Sequence, residues 1–159
     1  KNYKNENIIV VGNPLLKEKF LNKTNAKFFK IKRCLILDED YISFYKMKHF
    51  FETISKHTNI KFYLKKKVTR ELPKEFERFC FNNNLRIINS KQTLGDIVKK
   101  YKINSILAST STGLLEASYY NTVPIKFNSM EYNRENEFDI FVKERLVYKA
   151  NNKKKFINL

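Results

Sequence analysis

What most constrains this chain is the alternation of two kinds of segment. Short apolar runs, Cys34-Leu35-Ile36-Leu37, Ile60 to Leu64, Leu85 to Ile88, Ile103 to Ala108 and Val123-Pro124-Ile125-Lys126-Phe127, are separated by stretches in which apolar residues return every third or fourth position. Runs of that length read as buried strands, and the longer period reads as helices with one apolar face. Ile42, Tyr45, Phe50 and Ile54 predict a helix within 41–57, and Phe76, Phe79 and Cys80 predict another that starts near Pro73 and frays at Asn82-Asn83-Asn84. Thr93, with an acid three residues on at Asp96, caps a third through Lys100; a fourth is expected from Leu114 to Tyr120 and an amphipathic piece from Phe138 to Leu146. Strands that alternate with helices imply an α/β fold, a parallel sheet covered on both faces, because parallel neighbours need long crossovers.

At 159 residues the chain is the size of one domain, and 42% hydrophobic residues suffice to fill its core. The expected organisation is a single domain over 1–159, with an opening segment at 1–30, a core at 31–147 and a basic tail at 148–159. The opening segment holds a further apolar run, Ile8 to Val11, ended by Gly12 and Pro14. Because the chain starts at Lys1 rather than at a Met, it is expected to be the C-terminal part of a longer protein.

The net charge of +16 points to an anionic partner, whether a nucleotide, an acidic glycan, a membrane surface or nucleic acid. The same excess also fits a lysine-rich composition spread over solvated faces. Nucleic acid is the poorest fit, since the interleaved aromatic and basic motifs of the usual modules are missing. Cys34 and Cys80 stand far apart in apolar contexts, without CxxC spacing or clustered histidines, so both are expected as buried thiols and no metal site is expected. No apolar run approaches the roughly 20 residues of a membrane helix, and no signal-peptide pattern opens the chain. The expected location is the cytoplasm, with room for peripheral contact at the inner membrane.

Ligands of doubly wound sheets bind beyond the carboxyl ends of the strands, so the segments that follow each strand are the places to look. Ser109-Thr110-Ser111-Thr112-Gly113 joins the fourth strand to a helix, where hydroxyls and helix-start amides suit a phosphate and Gly113 lets an anion approach the backbone. One hydroxyl there is explained by capping alone; four exceed that need. Glu116 follows in the first helical turn, favoured there by the helix dipole and also suited to accept ribose hydroxyls. Lys65-Lys66-Lys67 follows the second strand, where Lys65 and Lys67 offer positive charge to a diphosphate or a sugar acid. Asp38-Glu39-Asp40 follows the first strand and includes the candidates for a general base or a ribose contact, although Asp40 also serves as a helix cap. His49 and His57 lack a nucleophile pattern nearby, and Tyr119 and Tyr120 suit either base stacking or packing.

Two stretches resemble the C-terminal domain of bacterial GT-B glycosyltransferases. Ile8-Ile9-Val10-Val11-Gly12-Asn13-Pro14-Leu15-Leu16 is similar to the start of that domain. Ser109-Thr110-Ser111-Thr112-Gly113-Leu114-Leu115-Glu116-Ala117 with Asn121-Thr122-Val123-Pro124-Ile125 resembles the hydroxyl-rich turn, Glu-Ala helix and Val-Pro strand of sialyl- and polysialyltransferases, CDP-glycerol glycerophosphotransferases and UDP-sugar 2-epimerases. The resemblance implies a Rossmann-like sheet, one half of a GT-B fold. It also implies that Ser109, Thr110, Ser111 and Thr112 contact the phosphate of CMP-sialic acid or another nucleotide sugar. Where the sialyltransferase-like families carry Lys-x-His-Pro, this chain has Lys65-Lys66-Lys67-Val68, so the imidazole expected beside the nucleotide is replaced by an amine.

The expected function is therefore donor-nucleotide binding in a transferase of capsule or lipooligosaccharide synthesis. Its donor is a nucleotide sugar and its acceptor a glycan or glycolipid, with no metal or other cofactor. The competing expectation is a non-catalytic module that docks on anionic membrane or glycan through its lysines.

Overall fold

A computed structural model describes residues 30–39, 44–55, 59–88, 91–109, 111–127, 142, 147–150 and 156. In chain order the elements are β1 (Arg33–Leu37), α1 (Phe44–Ser55), β2 (Lys61–Lys65), α2 (Lys74–Asn82), β3 (Arg86–Ile88), α3 (Leu94–Tyr101) and β4 (Ser105–Ala108). They continue with α4 (Gly113–Glu116), a 3₁₀ turn (Ala117–Tyr120), β5 (Val123–Phe127) and β6 (Tyr148–Ala150). The six strands form one sheet in the order β3-β2-β1-β4-β5-β6, and every neighbouring pair is parallel. This is the Rossmann-like α/β architecture that the alternation predicts.

Each strand feeds both faces, as the two-residue period requires. Cys34 and Ile36 of β1, Phe62 and Leu64 of β2, and Ile125 and Phe127 of β5 point to the face covered by α1 and α2. That face is rich in aromatic rings: Phe51 is wholly buried and meets Phe62 edge-on at 5.0 Å, while Phe50 lies 4.1 Å from Phe127. Leu35 and Leu37 of β1 and Ile106 and Ala108 of β4 point the other way, onto Leu94, Ile97 and Val98 of α3 and Leu114 of α4. That second face is mainly aliphatic, with Tyr63, Tyr101 and Tyr120 as its aromatic members, and two glycines let backbone approach closely there. A side chain at Gly95 would meet the ring of Tyr120 at 2.9 Å, and one at Gly113 would run into Leu37 Cδ1.

Local signals set the helix ends. The Thr93 hydroxyl accepts the Asp96 N–H at 3.2 Å and donates to the Asp96 carboxylate at 2.6 Å, so the cap read from the sequence forms. At the other end Lys102 adopts φ 51°, and the Ile103 N–H donates back to the Val98 carbonyl at 3.0 Å, turning the chain directly into β4. Asn104 then braces the start of β1: its Oδ1 accepts from the N–H groups of Lys32 and Arg33 at 3.1 and 2.9 Å, and its Nδ2 donates to the Lys30 carbonyl.

Two expectations need correcting. The helix expected over Leu114 to Tyr120 is α-helical only to Glu116 and tightens into the 3₁₀ turn, which lets the Thr122 N–H and hydroxyl both donate to the Ala117 carbonyl before β5. The segment expected as a basic tail, 148–159, opens instead with β6, paired to β5 from Tyr148 to Ala150, and Phe156 is fully buried in the aromatic face. The apolar run at Ile8 to Val11 lies outside the described residues, as does the amphipathic piece at 138–146 apart from Val142. No helix among the described residues is long and apolar enough to cross a membrane.

Candidate functional site

In this strand order the chain leaves β1 toward β2 on one side, and leaves β4 toward β5 on the other. The segments that follow β1 and β4 therefore part from each other at the carboxyl ends of two adjacent strands, opening a crevice there. The two segments are Asp38-Glu39 and Ser109 to Gly113. Both were singled out in the sequence, and the sheet brings them together.

Asp38 and Glu39 have different surroundings although they are adjacent. The Asp38 side chain is wholly buried on the β2 side. Its carboxylate accepts from Arg70 at 2.7 Å and from the Lys67 backbone N–H at 3.3 Å, while its own N–H donates to the Lys65 carbonyl. Arg70 also donates to the Glu39 carbonyl at 2.7 Å, and its guanidinium stacks 3.9 Å from the centre of the Phe44 ring. Asp38 is thus consumed in fixing the loop after β2. Glu39, only 3% exposed, turns the other way, and its carboxylate accepts the Ser109 backbone N–H at 2.9 Å. That bond spans the crevice.

A pocket of about 20 Å³ lies beside this bond, lined by Glu39 and Ser109 together with Met47 and Phe50 of α1, Leu107 of β4 and Phe127 of β5. A space of that size takes one water or one hydroxyl oxygen. Its walls are apolar, apart from Glu39 and the Ser109 turn.

The rest of the hydroxyl-rich turn is partly occupied with its own architecture. The Ser111 hydroxyl accepts the Gly113 N–H at 3.2 Å, the Ser111 carbonyl accepts the Leu114 N–H, and the Thr112 carbonyl accepts from Leu115 and Glu116. The Thr112 side chain makes no cap bond and is exposed. Gly113 is buried, and its missing side chain makes room for Leu37. Glu116 is exposed one turn further on. Lys65 is half-buried and Lys67 exposed, both at the carboxyl end of β2, on the far side of β1 from Ser109. Thr110 and Asp40 lie outside the described residues, as does His57; His49 is on the exposed face of α1. Tyr120 packs against α3 at Gly95.

Two residues near these segments were not singled out in the sequence. Arg70 is five residues past β2 in a polar stretch, and nothing in its spacing marks it as the partner of Asp38. Lys126 is wholly buried at the end of β5, in register with Ala108. A lysine inside an apolar strand is a usable signal, because burying that charge is costly without compensation. Both thiols are buried, and burial pushes Cys34 and Cys80 up to about 12, so neither ionises near neutral pH. Among the described residues no group of three or more His, Cys, Asp or Glu is placed to hold a metal ion.

No protein-family model matches this chain, and no curated protein matches it.

Proposed function

We propose that this chain is a donor-nucleotide-binding domain of a glycosyltransferase. It would take CMP-sialic acid or another nucleotide sugar at the crevice between β1 and β4. The observation that carries the reading is the meeting of two polar post-strand segments at the point where the strand order reverses, bridged by the Glu39 carboxylate and the Ser109 N–H. The transferase chemistry rests on the sequence resemblance of the 109–125 stretch. In this reading the Ser111 and Thr112 hydroxyls stabilise the phosphate as it departs, without a metal, while Lys65 and Lys67, across β1 from that turn, add positive potential at longer range. The acceptor, a glycan or glycolipid of a bacterial capsule or lipooligosaccharide, would be held by residues outside this domain.

Isothermal titration of the chain with CMP, UDP and their sugars is the direct test. Saturable binding in the micromolar to low millimolar range, weakened in a Ser111→Ala/Thr112→Ala variant, is the expected result. If none of these nucleotides binds at millimolar concentration, the reading falls.

One observation favours a second reading, docking on an anionic membrane or glycan. Lys67 is exposed, and beside it Val68 is 69% exposed, so charge and an apolar side chain are presented together after β2. That reading expects vesicle binding that rising salt abolishes and that the Ser111→Ala/Thr112→Ala variant leaves intact.

A further inference from the structure

We infer that the amino end of the sheet, opposite the crevice, is a docking face for an anionic membrane surface. It goes beyond the nucleotide reading and is independent of the Lys67 and Val68 pair, which follows β2 at the carboxyl end.

Three observations carry it. First, cations collect at this end and backbone bonds hold them together. The Lys61 N–H donates to the Lys32 carbonyl at 2.9 Å, Arg33 and Lys61 are register partners on β1 and β2, and Asn104 ties Lys30, Lys32 and Arg33 to the turn that carries Lys102. Arg86, at the start of β3, and Lys100, in the last turn of α3, flank the Tyr101 ring at 5.0 and 5.6 Å from its centre. Lys30, Lys32, Lys61, Arg86, Lys100 and Lys102 are all exposed.

Second, no described acid neutralises them. Of the described acids, all but Glu52 follow a strand or open a helix, which in a parallel sheet puts them at the carboxyl end, and Glu52 pairs with Lys48 on α1. The helix dipole accounts for Lys100 in the last turn of α3. It does not account for Arg33 beside Lys61, since like charges at facing strand positions cost stability.

Third, the shape suits a plane of charge better than a line of it. The cations spring from the starts of three adjacent strands and from the turn into a fourth, about 15 Å across at the spacing of neighbouring strands. A single-stranded nucleic acid needs aromatic faces on which to stack its bases. Here Tyr63 is buried, and the Tyr101 ring is taken up by Tyr63 at 5.2 Å and by the two cations. Lysine, a compact charge on a flexible stem, predominates in the patch, as suits mobile lipid headgroups.

The test is flotation of the full chain with vesicles of phosphatidylcholine alone, or of phosphatidylcholine and phosphatidylglycerol in equal parts, at about 0.1 M salt. The native chain should float with the anionic vesicles only, and raising the salt should release it. Lys32→Gln/Lys61→Gln/Lys102→Asn, in which Asn suits the left-handed turn at 102, should weaken partitioning by about tenfold or more. Lys65→Gln/Lys66→Gln/Lys67→Gln removes the same charge from the carboxyl end and should weaken it by no more than about twofold. Should the first variant unfold, Lys61→Gln alone carries the test, with a loss of about fivefold. Failure of the native chain to bind anionic vesicles overturns the inference, and so does an equal loss from both triple variants, which would make net charge the cause. A loss from the carboxyl-end variant alone also overturns it and gives the docking to Lys67 and Val68. Tighter binding of single-stranded RNA or an acidic polysaccharide than of vesicles, lost in the amino-end variant, overturns the choice of partner. None of these outcomes touches the nucleotide reading, which stands or falls on the titration with CMP and UDP.

Discussion

The two flanks of the β1 terminus are built on opposite plans. Toward β2, Asp38 is buried in an ion pair with Arg70, and that arginine is held at the same time by the Glu39 carbonyl and by the Phe44 ring. Toward β4, the Glu39 carboxylate meets a backbone N–H beside a small apolar pocket. The first flank is a rigid brace built from a side-chain ion pair; the second joins a carboxylate to the backbone beside a space the size of one water. Two neighbouring acids with the same chemistry thus take different roles, set by the partner that each one meets.

The largest test of this contrast is Arg70→Met, which leaves Asp38 buried without its counter-ion. A loss of about 3–5 kcal/mol is expected in urea unfolding, and Asp38→Asn in the same background should recover much of it. A cost below about 0.5 kcal/mol, the level of a surface change, would show that the brace is not one. Next comes Gly113→Ala on the β4 flank. It forces Leu37 out of its place and should cost about 1–3 kcal/mol by the same measurement, without changing the Asp38 side.

The amino end of β1 supplies a control that neither flank should influence. Cys34 is wholly buried, and its thiol is raised from the ordinary value of 9.0 to about 12. Below pH 9 the thiol is neutral in both the folded and unfolded chains. Between pH 9 and 12 only the unfolded chain gives up the proton, so Cys34 alone should lower stability by about 1.4 kcal/mol per pH unit across that window. Cys80 is raised to the same value and adds a like slope, so Cys34→Ala should remove about half of the total. The smallest effect is expected for Glu39→Gln, under about 1 kcal/mol, since a charge-assisted bond becomes a neutral one. If Glu39→Gln instead costs as much as Arg70→Met, the two flanks are not different in kind.

Much of the fold was legible because its signals are local. The β1, β2, β4 and β5 runs are mostly apolar, and the Thr93–Asp96 cap is written within four residues. The candidate site was legible only as segments. That Asp38 and Glu39 face opposite sides depends on a partner 32 residues away for one and 70 residues away for the other. Spacing carries no trace of such pairings. β6 was missed because Tyr148-Lys149-Ala150 is short and polar, and only its position beside β5 makes it a strand.

The placement of β6 and Phe156 has a practical consequence for anyone shortening this protein. Clipping the chain before residue 148, to be rid of the asparagine and lysine run at 151–155, would strip the hydrogen-bonding rim of β5 and pull a plug from the aromatic layer. A bare rim of that kind recruits other chains, so the trimmed product should be the less soluble one.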